Sequence, residues 1–228
     1  MTFEEYYSAF KTYSDVHSGE YRKRIEKLKP LLIEFMPEKG KVLDIGCGAG
    51  GVSFLLEDLG FNVIGVDNSD YMLSLARSFA KEKGSTVEFI KADARELPFE
   101  GDSFDYVLFI DGVFHFAPLD LSKVFFEAGR VLRPGGKFII QFIDMRSLLK
   151  SLKERQIIGG EFWISRVITD EDERTALIEF QSEEKSFHVR FNIWGKTAIE
   201  LLAKFYFRKV EEEKISEHTY FQVYLPKK

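Results

Sequence analysis

A single cysteine, Cys47, rules out an intrachain disulfide and with it the small cross-linked secreted folds. That scarcity fits a reducing compartment, and a cytoplasmic location is expected. No apolar run approaches the roughly 20 residues that cross a bilayer, so no membrane span is expected. The first residues, MTFEEYYSAF, lack a basic stretch followed by an apolar core, so they do not read as a signal peptide. Basic charge is not in surplus either. Lys and Arg total 32 against 37 Asp and Glu, a net charge of −5, which is the opposite of what a polyphosphate partner selects. Nucleic acid is therefore disfavoured as a partner. Internal repeats and low-complexity segments are missing as well. What is plentiful is apolar surface: 45% hydrophobic residues, with 23 Phe and 9 Tyr, enough for one large domain or one domain with an added lobe.

The stretch 41–69, KVLDIGCGAGGVSFLLEDLGFNVIGVDNS, organises the chain. An apolar run is followed by clustered glycines, an amphipathic segment, and a second apolar run ending in Asp67. Strand, glycine turn, helix, strand and terminal carboxylate form a unit that holds an adenosine-containing cofactor.

Ahead of it, Phe3, Tyr6, Tyr7, Phe10 and Tyr13 fall at helical spacing, as a packed helix or a cover over a ligand. A second helix is expected over 20–36, kinked or restarted at Pro30. After Asp67, Ser69 is placed to cap a helix that ends at Gly84. Strands are expected over 86–93, 104–112 and 137–143, with a helix over 120–132 and a turn at Arg133-Pro134-Gly135-Gly136. Alternating strands and helices imply an α/β fold, a doubly wound and mostly parallel sheet covered on both faces. The pattern then breaks. A short helix near 146–155 precedes three strand-like runs, 161–169, 174–181 and 186–194, which read as a small antiparallel meander. A helix over 196–206 and two strands near 208–215 and 219–225 close the chain.

Gly46, Gly48 and Gly51 satisfy G-x-G-x-x-G, a pattern met by both NAD-binding and methyl-transfer folds. Asp67 is placed to accept hydrogen bonds from two ribose hydroxyls in either. Three features separate the two. Asp44 precedes the glycines, where a carboxylate suits an ammonium or sulfonium and repels a pyrophosphate. Asp93-Ala94 end the third strand, placed to read an adenine edge. The runs FDYVLFIDG and AGRVLRPGGKFII complete the pattern.

Together these motifs resemble a class I, seven-stranded S-adenosylmethionine-dependent methyltransferase, over about residues 41–142. VLDIGCGAG resembles that family's first motif, VIGVDNS its second-strand acidic motif, KADARELPFEGDSFDYVLF its adenine-reading loop, and RVLRPGG the turn before strand five. The nearest branch is the small-molecule one, such as the quinone-biosynthesis methyltransferases. The resemblance implies a seven-stranded sheet whose last strand inserts antiparallel beside the fifth. It also implies S-adenosylmethionine as cofactor and S-adenosylhomocysteine as product, with no metal. It places Asp44 and Gly46 at the methionine ammonium, Gly48 and Gly50 where room is needed, and Asp67 on the ribose. Asn68 and Met72 would flank the adenine, Asp93 and the Ala94 N–H would read its edge, and Ile110 and Asp111 would sit at the methionine end. Cys47 is a small turn residue in this reading.

The implied organisation is an N-terminal helical cap (1–40), a cofactor domain (41–145 and 195–228) and an inserted lobe (146–194) for substrate or for a homodimer. The acceptor is expected to be a small molecule, apolar or aromatic. The Asn-Pro-Pro-Tyr motif of amino-group methylation on DNA bases or glutamine is replaced by Ile110-Asp111-Gly112-Val113, and the Pro-Cys pair of cytosine C5 enzymes is absent. His115 is the candidate general base, with a pKa in the useful range, and His188 and Tyr220 are weaker candidates. Phe114, Phe116, Phe162 and Trp163 would line the pocket. Two alternatives remain at this stage: an NAD-dependent oxidoreductase, and a non-catalytic cofactor-binding partner protein.

Overall fold

A computed structural model describes residues 19–151, 157–158, 162–170, 174–181 and 186–227. The aromatic stripe from Phe3 to Tyr13 lies outside them, as do the turns 171–173 and 182–185. The first described helix, α1 (Gly19–Phe35), runs through Pro30 without restarting. Leu28 and Leu32 are buried on its inner side.

The main sheet has seven strands: β1 (Lys41–Ile45), β2 (Asn62–Asp67), β3 (Glu88–Lys91), β4 (Phe104–Ile110), β5 (Leu132–Ile143), β10 (Phe207–Lys214) and β11 (Thr219–Pro226). Their order is β10-β11-β5-β4-β1-β2-β3. β1 to β5 pair in parallel, while β11 runs antiparallel to both β5 and β10, as expected from the family resemblance. β3 is shorter than the expected strand because Ala92 and the residues after it turn into the next loop. β5 is longer. Phe104 pairs with Leu132 and Tyr106 with Lys137, so Arg133–Gly136 loop out as a bulge inside the ladder, with Gly135 at φ 80°.

Helices α2 (Gly51–Asp58), α3 (Asp70–Lys83) and α4 (Pro118–Val131) cross between the strands. Ser69 caps α3 by accepting from the Met72 N–H, and Gly84 ends it in the left-handed conformation, as the spacing predicts. α1, α2 and α3 bury one face of the sheet through Leu32, Leu56, Leu73 and Leu108. α4 and α6 (Lys196–Ala203) bury the other through Leu121, Phe125, Phe138 and Ile199. Parallel strands buried on both faces explain why VLDI, VIGV and YVLFI read as continuous apolar runs.

Between β5 and α6 stand α5 (Met145–Ser151) and a separate antiparallel sheet. Its order is β6 (Ile157–Ile158), β7 (Phe162–Asp170), β8 (Thr175–Gln181) and β9 (Ser186–Asn192), so the meander has one short strand more than expected. It has its own apolar cluster around Ile178, Phe180, Val189 and Phe191, closed by Met145 of α5 and Phe114 of the main body.

Candidate functional site

The strand order reverses between β4 and β1, and ligands of open α/β sheets bind outside the carboxyl ends of strands at such a point. β1 ends there in buried Ile45, and the Val66 carbonyl of β2 accepts from both Gly46 N–H (2.8 Å) and Cys47 N–H (3.0 Å). The chain then turns through Gly46, Gly48 and Gly50 at φ 67°, 55° and 89°. L-residues with a Cβ pay for those angles, so glycine is required. The glycines do different things. A Cβ on Gly48 would meet nothing within 4 Å, so its face is open. A Cβ on Gly50 would strike the Phe89 ring at 2.7 Å and the Phe54 ring at 2.9 Å. The direction a side chain would take at Gly50 is thus filled by the core, so packing alone already demands a glycine there.

Two carboxylates flank the turn. Asp67 accepts from Gly48 N–H through Oδ2 and from Ser69 N–H through Oδ1, each at 2.9 Å. These bonds aim both oxygens of a carboxylate, an acceptor pair of the kind a vicinal diol uses. Burial raises the Asp67 pKa against the pull of those bonds. Asp44 is buried on β1, and the buried Ser53 hydroxyl of α2 donates to its Oδ2 at 2.6 Å. Burial pushes its pKa up to about 7; the Ser53 bond lowers it and the Asp67 charge adds to the rise. No cation is among the causes that act on it. A buried carboxylate in that condition gains from a cationic ligand.

Asn68 is exposed and Met72 buried just past β2, while Ala94 is half-buried. Asp93 is bound twice over: Arg95 donates to it from its backbone N–H (2.9 Å) and from Nε and Nη2 of the guanidinium. Those bonds hold its pKa below the usual value. The loop carrying Asp93 and Ala94 is tied to α4 by Glu127 and Arg130. Glu127 Oε2 accepts from Leu97 N–H at 2.7 Å, and Arg130 donates to the Phe99 and Leu97 carbonyls and to Glu127. At the end of β4, Ile110 is followed by Asp111 at φ 57°, an uncommon angle for a residue with a side chain. Gln141 of β5 holds it there, accepting from Asp111 N–H (2.9 Å) and donating from Nε2 to Asp111 Oδ1 (2.8 Å).

Residues 42–136 match the model of a methyltransferase domain. Over 98% of its length the chain is 58% identical to the crystal structure of the PH0226 protein from Pyrococcus horikoshii OT3, covering 99% of that chain with a TM-score of 0.91. The chain belongs to the class I methyltransferase family. A methyltransferase fold is also shared with the CcbJ methyltransferase from Streptomyces caelestis, at 21% identity, 89% coverage of each chain and a TM-score of 0.73. Among curated sequences, a demethylmenaquinone methyltransferase from Thermus thermophilus is 37% identical over 48% of this chain and 49% of its own. A sterol 24-C-methyltransferase from Schizosaccharomyces pombe is 41% identical over 43% of this chain and 26% of its own. The chain thus spans about half or less of the length of these curated relatives.

Within this methyltransferase fold, Asp44, Gly46, Gly48, Asp67 and Ile110 meet around the β1–β4 switch point. Asn68, Met72, Asp93 and Ala94 lie along the adjoining ends of β2 and β3. Cys47 is buried and its thiol is pushed well up, mainly by burial, so it is inert. His115 ends a one-turn 3-10 helix (Val113–His115) after β4. Its pKa does not fall in the useful range: enclosure of the ring lowers it to about 3, which makes it a weak base. The lobe is fastened beside it. Asn192 Nδ2 donates to the Phe114 carbonyl (3.1 Å), Trp194 Nε1 to the Phe116 carbonyl (2.9 Å), and the Phe114 and Phe191 rings meet edge-on at 5.4 Å. His188 is exposed on β9, and Tyr220 stacks on Phe142. The side chains of Phe162 and Trp163 lie outside the described residues.

Ser53, Glu127 and Gln141 act on this site without a sequence motif that names them, and Arg130, although it opens RVLRPGG, is not singled out by it. Ser53 carries a faint signal, since a polar residue on the inner side of an apolar helix needs a partner.

Proposed function

We propose that the protein transfers a methyl group from S-adenosylmethionine to a small-molecule acceptor. The observation that carries the reading is the pair of aimed carboxylates around an open glycine turn. The buried carboxylate of Asp44, short of a cation, suits the positive methionine end of the donor. Asp67, held by Gly48 and Ser69, suits the ribose diol. A dinucleotide would bring its pyrophosphate against Asp44, so the same feature disfavours NAD.

In this reading Gly46 and the Ile110 carbonyl meet the ammonium, Asp111 sits at the methionine end, and Gly48 leaves the turn open. Met72 and Asn68 flank the adenine, and Ala94 N–H and Asp93 read its edge. When bound, the donor supplies an activated methyl group on a good neutral leaving group. The chain's own residues align the two partners and keep water away. With a pKa near 3, His115 packs beside the acceptor rather than taking its proton. The main sheet binds the donor, and the lobe from α5 to β9, fastened at Phe114 and Phe116, faces the acceptor or a second copy. The N-terminal 40 residues serve as a cap. The negative net charge and single cysteine favour a small acceptor over nucleic acid, and a cytoplasmic site.

Asp67→Ala tests the reading. It should weaken S-adenosylmethionine binding by about a hundredfold or more in calorimetry, since two hydrogen bonds to a charged group are lost, with the far-UV circular dichroism unchanged. An unchanged dissociation constant would refute the ribose role.

A further inference from the structure

Among the described residues, Oε1 of Gln141 is the buried side-chain polar atom left without a hydrogen-bond partner. Gln141 itself is 5% exposed. An orphaned buried acceptor of this kind costs about 1–3 kcal/mol, so native proteins keep one mainly where another molecule supplies the donor. The orientation of the amide is fixed by chemistry. Nε2 donates to Asp111 Oδ1 at 2.8 Å, and a flipped amide would set oxygen against a carboxylate oxygen.

Register gives the position. Ile45 pairs with Phe109 and Ile110 with Gln141, so Gly46, Ile110 and Gln141 stand level at the carboxyl ends of β1, β4 and β5. Leu108 and Ile139 pack toward α1, α2 and α3, whereas Phe138 and Ile140 pack toward α4. Alternation therefore puts Gln141 on the same side as Ile110, Asp44 and Ser53. Two strand spacings separate it from Gly46, roughly 10 Å at about 4.8 Å each. A donor whose methionine end lies over Gly46 and Ile110 has Gln141 one strand farther out. The attacking atom must stand beyond the methyl, in line with the breaking bond.

We propose that Gln141 Oε1 is a specificity-determining acceptor that takes a hydrogen bond from the N–H or O–H of the incoming substrate, so that the methyl goes to an amine nitrogen or a hydroxyl oxygen. This rests on the methyl-donor reading above. The methyltransferase-domain match ends at residue 136, ahead of Gln141, so this assignment is independent of that match. Holding the N–H or O–H turns the lone pair of the same atom toward the methyl. That pair forms the new bond to carbon while the carbon–sulfur bond breaks, its electrons remaining on sulfur as a neutral thioether. The proton of the resulting onium is lost to water. The amide is too weak a base to take it and only orients. A carbon or thioether acceptor would leave Oε1 unpaired.

Sinefungin tests this without the natural acceptor, because a carbon replaces the donor's sulfonium sulfur and an amine on that carbon replaces the methyl, which places N–H groups where the reacting atoms meet. Dissociation constants for sinefungin and S-adenosylhomocysteine are measured by calorimetry on the full chain and on Gln141→Met. The wild type should prefer sinefungin about tenfold, and Gln141→Met, which also frees the Asp111 side chain and so weakens both ligands, should lose that preference. A wild-type protein with no preference, a variant that keeps the ratio, or a variant that loses both ligands equally overturns the proposal. Gln141→Leu serves if the Met variant does not melt cooperatively. A wild type that binds neither ligand sinks the methyl-donor reading instead.

Discussion

Asp44 is the residue whose charge the site has to manage. Its pKa is raised from 3.8 to about 7 by burial, so the ligand-free folded protein holds a proton there that the unfolded chain releases. Stability from this group is fully present below about pH 4 and is lost as pH rises through about 7. A cationic ligand needs the ionised form, so binding reverses the balance. Affinity for S-adenosylmethionine should fall about tenfold per unit as pH drops well below 7, with a proton released on binding. Calorimetry at several pH values in buffers of different ionisation enthalpy reads both effects. Asp44→Asn should bind weakly and without that slope; a flat wild-type profile would remove Asp44 from the ligand's charge. His115 behaves in the opposite sense. Its pKa is lowered to about 3, so it stays neutral in the fold while the unfolded chain takes up a proton near pH 6.5, and it costs stability as pH falls through that window.

At the scale of elements, the glycine turn separates two jobs that one motif hides. Gly48→Ala puts a methyl into open space at φ 55°, a backbone cost of about 1–2 kcal/mol. Gly50→Ala adds a collision with Phe54 and Phe89 to a similar strain and should cost about 2–4 kcal/mol. Urea midpoints should therefore fall further for Gly50→Ala. S-adenosylhomocysteine affinity measured on folded protein should fall further for Gly48→Ala. Equal effects of the two on both readouts would contradict the division. The loop after β3 is shaped from two sides, by its own Asp93–Arg95 bonds and by Glu127 and Arg130 of α4. The last hairpin is pinned likewise. Lys209 bridges Glu200 of α6 and Glu212 of β10, and Gln222 of β11 donates to both carboxylates.

Across the whole molecule, the proposed donor site draws on the ends of β1, β2, β3 and β4, strands that share two large apolar clusters. A ligand there stabilises the sheet as a unit. At about a hundredfold excess over its dissociation constant, S-adenosylhomocysteine should add about 2.7 kcal/mol and raise Tm by about 5–10 °C. Scanning calorimetry checks it, and an unmoved main transition would mean that the ligand site is not built on the sheet. The lobe packs around a third, smaller cluster and joins the main body through Phe114, Met145 and Trp194.

The sheet, its order of strands and helices and the donor turn were legible in the sequence, because each depends on local chemistry. Continuous apolar runs mark buried parallel strands, and glycine marks left-handed backbone. Ser69 and Gly84 mark the ends of α3. The bulge at Arg133–Gly136 and the extra strand β6 were not legible, since pairing with distant strands decides them. Burial decided the rest. His115 reads as a base by residue type and is a weak one by enclosure. Gly50 reads as a ligand-facing glycine by motif, and its neighbours Phe54 and Phe89 add a packing reason for it. The two carboxylates around residues 46–50 stand where the sequence puts them. Their chemistry was settled by the tertiary structure, which removes water from Asp44 and aims Asp67 with backbone N–H groups.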